Sequence, residues 1–205
     1  MTWLAGGIGL IACGVVGVLR LAVLGTPGTI TGLTLLADAL WAVAVLTLAV
    51  GKDRESSVVA RGALGVAACA AVALWPAFST VMGLIAVPDG PEEAGAWRVW
   101  WYASAIVPVI LGLIAAAMVA RTRTVPLPWN WAPLCALGVQ CVLWAVPQVI
   151  GTASPTTLLE APGIASGFGT LGFLTSTLGL GILAVVLGNR SRAGTVPIFR
   201  SDPRA

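Results

Sequence analysis

The sequence has no histidine, a single lysine and only 9% charged residues. A soluble domain carries about 25% charged residues, and a soluble fold with so few charges could not cover its apolar surface. The absence of histidine also removes the commonest metal ligand and proton-transfer side chain. These shortages argue against an ordinary soluble enzyme and indicate that the lipid bilayer is the solvent for most of the chain.

Sequence motifs for catalysis and for metal or nucleotide binding are missing as well. The chain has no GxSxG motif, no nucleotide-binding loop and no pair of carboxylates within its apolar runs. Its cysteines form no CxxC pair, so without histidine a zinc site would need all four thiols in the middle of the membrane. We therefore expect no enzyme activity, no metal site and no cofactor, and we expect the cysteines to be small buried residues. They are Cys13, Cys69, Cys135 and Cys141.

Long apolar runs make up most of the 205 residues, 58% of which are hydrophobic. Crossing the hydrocarbon core takes roughly 20 helical residues. The sequence therefore predicts an all-α integral membrane protein of six transmembrane helices within residues 1–189, followed by a basic cytoplasmic tail over residues 190–205. The six segments lie at about residues 3–24, 32–50, 60–86, 99–120, 131–150 and 167–188.

Basic residues predict the orientation of these helices. Nine of them flank the second loop, open the fourth loop or lie in the C-terminal tail, whereas Arg98 is alone in the first, third and fifth loops. Cytoplasmic loops carry an excess of Lys and Arg, so we expect a multi-pass protein of a bacterial cytoplasmic membrane with both termini in the cytoplasm. Since membrane topology accounts for these charges, they predict no nucleic-acid partner. The nine are Lys52, Arg54, Arg61, Arg121, Arg123, Arg190, Arg192, Arg200 and Arg204.

Tryptophans near the helix ends are typical of the aromatic belts that membrane proteins place at both interfaces. This interpretation puts them level with the headgroups. We expect Trp3, Trp129 and Trp131 at the inner interface and Trp97, Trp100 and Trp101 at the outer one.

A basic pair with one residue between its members recurs every 69 residues, beginning at Lys52, Arg121 and Arg190. One interpretation is three tandem helical hairpins, at about residues 3–50, 60–120 and 131–188, since parallel repeats are a known membrane architecture. The other is that inner-face placement of basic residues gives this spacing whenever hairpins have similar lengths.

Small residues recur every four positions along the first helix, at Ala5, Gly9, Cys13 and Gly17. Such a stripe lets helices approach closely. It favours packing inside the bundle, or alternatively docking of a membrane-protein partner or a second copy of the chain. In length, helix number and this one spacing the chain is similar to the substrate-binding components of energy-coupling-factor vitamin transporters. That similarity implies that the first helix contacts a separate membrane subunit.

Two charged residues, Arg20 and Asp38, lie within the apolar spans. A charge in hydrocarbon costs on the order of 3 kcal/mol unless it finds a partner or water. Counted from the turn between their helices, the two lie at similar depth, so we expect them to pair across the first hairpin. The functional alternative is an anion site at Arg20 or ion coupling through Asp38.

Three tryptophans, Trp41, Trp75 and Trp144, lie deep within the predicted helices, and each indole N–H needs a partner there. Together with Gln140 and Gln148 they are candidates to line a pocket for a flat organic solute, to which Arg20 and Asp38 would add polarity. The alternative is that the indoles fill the core opposite small residues.

The sequence thus leaves two functions open. The first is a small-solute binding or transport component of the cytoplasmic membrane that works with a partner. The second is a non-catalytic accessory subunit of a larger membrane complex that packs through small-residue faces.

Overall fold

The computed structural model describes residues 2–23, 26–52, 57–60, 62–85, 94–122, 125, 127, 129–153 and 163–193. Within them the fold is all helical, without strands, and six helices are long and apolar enough to cross a membrane. The predicted all-α fold of six long apolar helices is therefore confirmed. Much of the predicted basic tail, residues 194–205, lies outside the described residues, as do Arg54, Arg61 and Arg123.

The helices are α1 (Thr2–Ala22), α2 (Pro27–Val50), α3 (Ala63–Ile85), α4 (Ala94–Thr122), α5 (Ala132–Ala153) and α6. A short 3-10 helix, Trp129–Trp131, leads into α5. α6 comprises Gly163–Leu174, a π-helical turn over Thr175–Gly179, and Leu180–Ala193.

α2 begins five residues earlier than the sequence predicted, at Pro27 instead of about residue 32. The Pro-Gly pair looked like a turn, but proline suits the first helical turn, where its missing N–H is not needed. The helix ends after Val50, because Gly51 adopts a φ of 58° and its N–H bonds to the carbonyl of Thr47 at 3.1 Å.

The six helices form a closed ring. Each packs against the helix that follows it in the sequence, and α6 packs back against α1. The interface between α4 and α5 is the sparsest in this ring. Because consecutive helices are neighbours and the last meets the first, the ring encloses a central space.

α1 lies between α2 and α6 and approaches both through glycines. A Cβ placed on Gly9 would lie 2.9 Å from the Cβ of Ala44 on α2, and one on Gly7 would lie 2.8 Å from the carbonyl oxygen of Gly181 on α6. These distances are closer than side chains tolerate, so the two interfaces depend on the missing Cβ atoms.

The small-residue stripe of α1 is largely used inside the bundle. Gly9 packs on α2, and Cys13 is buried and donates its S–H to the carbonyl of Ala37 at 3.3 Å. Gly17 is buried against the ring of Phe173 on α6. Of the four stripe residues, only Ala5 is exposed.

The end of the ring at which α2 finishes and α3 begins is closed by a hydrophobic core. The linker residue Val59 is fully buried there, and the hydroxyl of Thr122 donates to the carbonyl of Val58 at 3.0 Å. The hydroxyl of Ser57 donates to the carbonyl of Ala49, which ties the linker to α2. The core consists of Ala49, Val59, Ala68, Cys69, Ala115, Val119, Val125 and Leu187.

Candidate ligand-binding cavity

A cavity of about 950 Å³ lies within the ring and is partly open to its surroundings. All six helices contribute to its wall, from Leu10 of α1 to Leu187 of α6. The wall is overwhelmingly apolar, and none of the described residues that line it is charged. Small-molecule sites typically occupy about 300–1,000 Å³ and combine an apolar wall with a few polar groups. The cavity therefore has the size and chemistry of a site for an uncharged molecule.

Tryptophans are prominent in the cavity wall. Trp41 and Trp144, two of the deep tryptophans, line it, as do Trp3, Trp101 and Trp129. Sequence reasoning missed the last three because a tryptophan near a helix end is typical of an interfacial belt. No one-dimensional signal separates a belt tryptophan from one that turns inward.

The indole of Trp41 satisfies a carbonyl that a proline leaves free. Pro76 lies inside α3 and has no N–H, so the carbonyl of Val72, four residues earlier, loses its helical partner. The Nε1–H of Trp41, on α2, donates to that carbonyl at 3.4 Å. Trp41 and Pro76 both line the cavity, so this hydrogen bond joins two helices at its wall.

Trp75 takes a different position from the other two deep tryptophans. Its ring stacks on Trp100 with centroids 6.3 Å apart, and Phe78 packs against both rings at 5.7 Å. This cluster joins α3 to α4, and Trp75 is not among the described residues that line the cavity. Its Nε1 is buried without a hydrogen-bond partner.

Gln140, Trp144 and Gln148 follow one another at four-residue intervals on one face of α5. Gln140 and Trp144 line the cavity and also a cleft of about 150 Å³ between α5 and α6, and Gln148 lines the cleft. All three side chains are exposed. Within the described part of the chain, the amide of Gln140 and the indole N–H of Trp144 form no hydrogen bond, so both remain available to a bound molecule.

Arg20 and Asp38 have separate partners. The guanidinium of Arg20 donates to the hydroxyl of Thr34 at 3.3 Å, whereas the carboxylate of Asp38 accepts from the hydroxyl of Thr80 at 2.7 Å. Among the described residues no ion pair joins the two charges, and neither residue is among those that line the cavity.

The pairing expected from the sequence is therefore not formed, and helix lengths explain why. Arg20 lies two residues before the end of α1, whereas Asp38 lies eleven residues after the start of α2. At 1.5 Å per residue these positions differ in depth by roughly 13 Å. The sequence count had treated residues 27–31 as a turn, and that error placed the two residues at one level.

No model of a known protein family matches the chain. No curated protein and no solved structure matches it either.

Proposed function

We propose that the protein is a multi-pass protein of the cytoplasmic membrane that binds a small apolar solute between its six helices. The observation that carries the proposal is the cavity of about 950 Å³, lined by five tryptophans and by no charged residue among those described. A wall of this composition favours a solute that is soluble in hydrocarbon, because a charged solute would lose its hydration without gaining a partner.

The outer surface of the ring supports the membrane assignment. Large aliphatic side chains such as Val43, Leu64 and Val142 are more than half exposed on helices that are long enough to span a bilayer. Exposing this apolar surface to water costs free energy, whereas exposing it to the hydrocarbon of a bilayer does not. The excess of basic residues in the second and fourth loops and in the tail favours an orientation with both termini in the cytoplasm.

In the proposed role the protein is a binding or transport component that works with a partner. Passage of a solute through the ring would require the core around Val59 and Val119 to open, since it closes the cytoplasmic end of the cavity in this orientation. A partner that moves α1 or α3 would supply that motion. An accessory subunit without a ligand is less favoured, because Gly9, Cys13 and Gly17, which suggested docking, already pack inside the bundle.

Native mass spectrometry of protein purified in mild detergent tests the proposal. We expect a co-purifying apolar molecule on the wild-type protein and its loss from Ala136→Trp, because Ala136 is buried and lines the cavity. Ala39→Trp is the matched control, since Ala39 is exposed and does not line the cavity. If the wild-type protein carries no solute and a panel of apolar solutes leaves its unfolding temperature unchanged, the proposal is wrong.

A further inference from the structure

The side chains that line the cavity differ in exposure from one side of the ring to the other. Every exposed lining residue that the structure describes belongs to α4, to α5 or to the 3-10 turn between them. They include Trp101 and Ile110 of α4 and Trp144 of α5, each about half exposed. Lining residues from α1, α2, α3 and α6 are buried or half-buried. The cavity is therefore open on the side of α4 and α5.

The interface between α4 and α5 has the structure expected beside an opening. It is the sparsest interface in the ring, and its closest glycine approach brings Gly112 against Leu137, with 3.2 Å from an added Cβ to the leucine side chain. The two helices are tied at one end, where the side-chain amide of Asn130 donates to the carbonyl of Ala120 at 3.4 Å. The exposed lining thus extends along the length of the two helices.

Gln140 lies in the cavity wall at mid-depth of its helix, and its amide faces Gly172 of α6, with Oε1 3.6 Å from the position of an added Cβ. It is eleven residues from the start and thirteen from the end of the apolar span Trp129–Ala153. An amide at that depth has no water to bond with, and in the described part of the chain it has no protein partner. Trp144 lies one turn further along the same face and adds an unpartnered N–H donor. A polar group on the bound molecule would satisfy both.

We propose that the cavity opens sideways into the bilayer between α4 and α5 and admits a membrane-dissolved amphiphile. This amphiphile is an uncharged molecule with a long apolar part and one hydroxyl or carbonyl group, which hydrogen-bonds to Gln140. The inference rests on the proposed function, since it names the ligand class and the entry route of the same cavity. The apolar part lies against the tryptophans, and the polar group meets the only side-chain amide among the described residues that line the cavity.

Photolabelling in vesicles tests the entry route. Wild-type protein in phosphatidylcholine vesicles is irradiated with a diazirine-bearing long-chain alcohol, and the label is mapped by mass spectrometry. We expect label on the cavity-lining parts of α4 and α5, and a loss of most of it in Ile110→Trp, which places a larger side chain in the opening. Ile114→Trp is the matched control, because Ile114 is exposed on the same helix but does not line the cavity.

The same assay with a diazirine-bearing alkane tests the polar contact. We expect the alcohol to label the cavity about two- to tenfold more than the alkane, the change that one ordinary hydrogen bond gives. Gln140→Leu should abolish this preference, whereas Gln148→Leu should keep it, because Gln148 lines the cleft and not the cavity.

The outcomes separate the two proposals. Cavity label that is unchanged in Ile110→Trp, or an alcohol preference that survives Gln140→Leu, overturns the entry route or the polar contact and leaves the binding function standing. Absence of cavity label in the wild-type protein with both probes overturns the binding function itself.

Discussion

At the scale of single residues, two polar side chains form hydrogen bonds that join α2 to α3. The indole of Trp41 bonds to the carbonyl that Pro76 frees on α3, and the hydroxyl of Thr80, on the same helix, bonds to Asp38 on α2. In an apolar medium an unmet hydrogen-bonding group costs more than the net gain from meeting it. Breaking either of these two contacts should therefore cost more free energy than the contact contributes on formation.

The bond between Trp41 and Val72 should depend on Pro76. Trp41→Phe leaves the Val72 carbonyl unpaired, and we expect it to lower the free energy of unfolding by about 1–3 kcal/mol. In the Pro76→Ala background the alanine N–H can reach that carbonyl, so Trp41→Phe should cost much less there. Denaturant titration of the four proteins of this double-mutant cycle measures the coupling. Equal costs in both backgrounds would show that the indole acts only by packing.

Asp38 should depend on its hydroxyl partner. Thr80→Val removes the donor and leaves a carboxylate in an apolar setting, so we expect a loss of about 1.5–3 kcal/mol, the range for a hydrogen bond to a charged group. Thr80→Ser keeps the hydroxyl and should stay close to wild type. The free energy of unfolding of both variants, measured in the same detergent, tests this prediction. The prediction is wrong if Thr80→Ser is as unstable as Thr80→Val.

At the scale of helices, α1 is the element on which the ring closes. It contacts α2 through Gly9 and α6 through Gly7, and its Gly14 lies against Thr177 in the π-helical turn of α6. Thr177 is fully buried, and its hydroxyl donates to the carbonyl of Phe173 at 2.7 Å. The widened turn thus brings a polar residue against a glycine that leaves room for it.

Adding a single methyl group to α1 should disturb the ring. Gly9→Ala places a Cβ 2.9 Å from that of Ala44, and we expect it to lower the free energy of unfolding by about 1–3 kcal/mol, with partial recovery in the Ala44→Gly background. Gly32→Ala is the control. Gly32 lies on α2, and a Cβ added there would have no atom within 4 Å. The alanine should therefore leave the free energy of unfolding unchanged or raise it by about 0.5–1 kcal/mol. Thermal unfolding of the variants measures both effects. If Gly9→Ala and Gly32→Ala change stability equally, the prediction is wrong.

At the scale of the whole molecule, six apolar helices surround an apolar cavity, so the protein presents hydrophobic surface both inside and outside. Among the charged side chains that the structure describes, Lys52, Arg121 and Arg190 lie at or near helix ends, and Arg20 and Asp38 lie within the apolar spans. The bundle is therefore held by close glycine contacts, a few interhelical hydrogen bonds and one small core beside Val59.

The orientation of the ring can be tested with single cysteines in a background in which the native cysteines are replaced. Lys52→Cys and Arg121→Cys change exposed residues at one end, and Thr26→Cys changes one at the opposite end. In intact cells we expect a membrane-impermeant maleimide to label Thr26→Cys, and to label the other two only after the membrane is permeabilised. Labelling of Lys52→Cys or Arg121→Cys in intact cells would reverse the proposed topology.

Sequence reasoning predicted the number of helices better than it predicted their ends or their rotation. Each helix is a run of apolar residues long enough to be recognised alone, but Pro27 was taken as a turn and proved to begin α2. Trp41, Trp75 and Trp144 were candidates to line one pocket, with core filling as the alternative, because all three lie deep. The structure places Trp41 and Trp144 at the cavity and Trp75 in a cluster with Trp100. Depth is readable from sequence position, whereas the direction in which a helix face points is not.

The sequence by itself determined that six helices form, because a run of about 20 apolar residues makes a helix that satisfies its own backbone in any apolar medium. Its small-residue spacing also indicated close helix packing. Only the tertiary structure decided that α6 returns to α1, that Arg20 and Asp38 take different partners and that Gln140 lies in the wall of a cavity. Those features depend on the rotation of each helix about its axis, and contacts between residues far apart in sequence set that rotation.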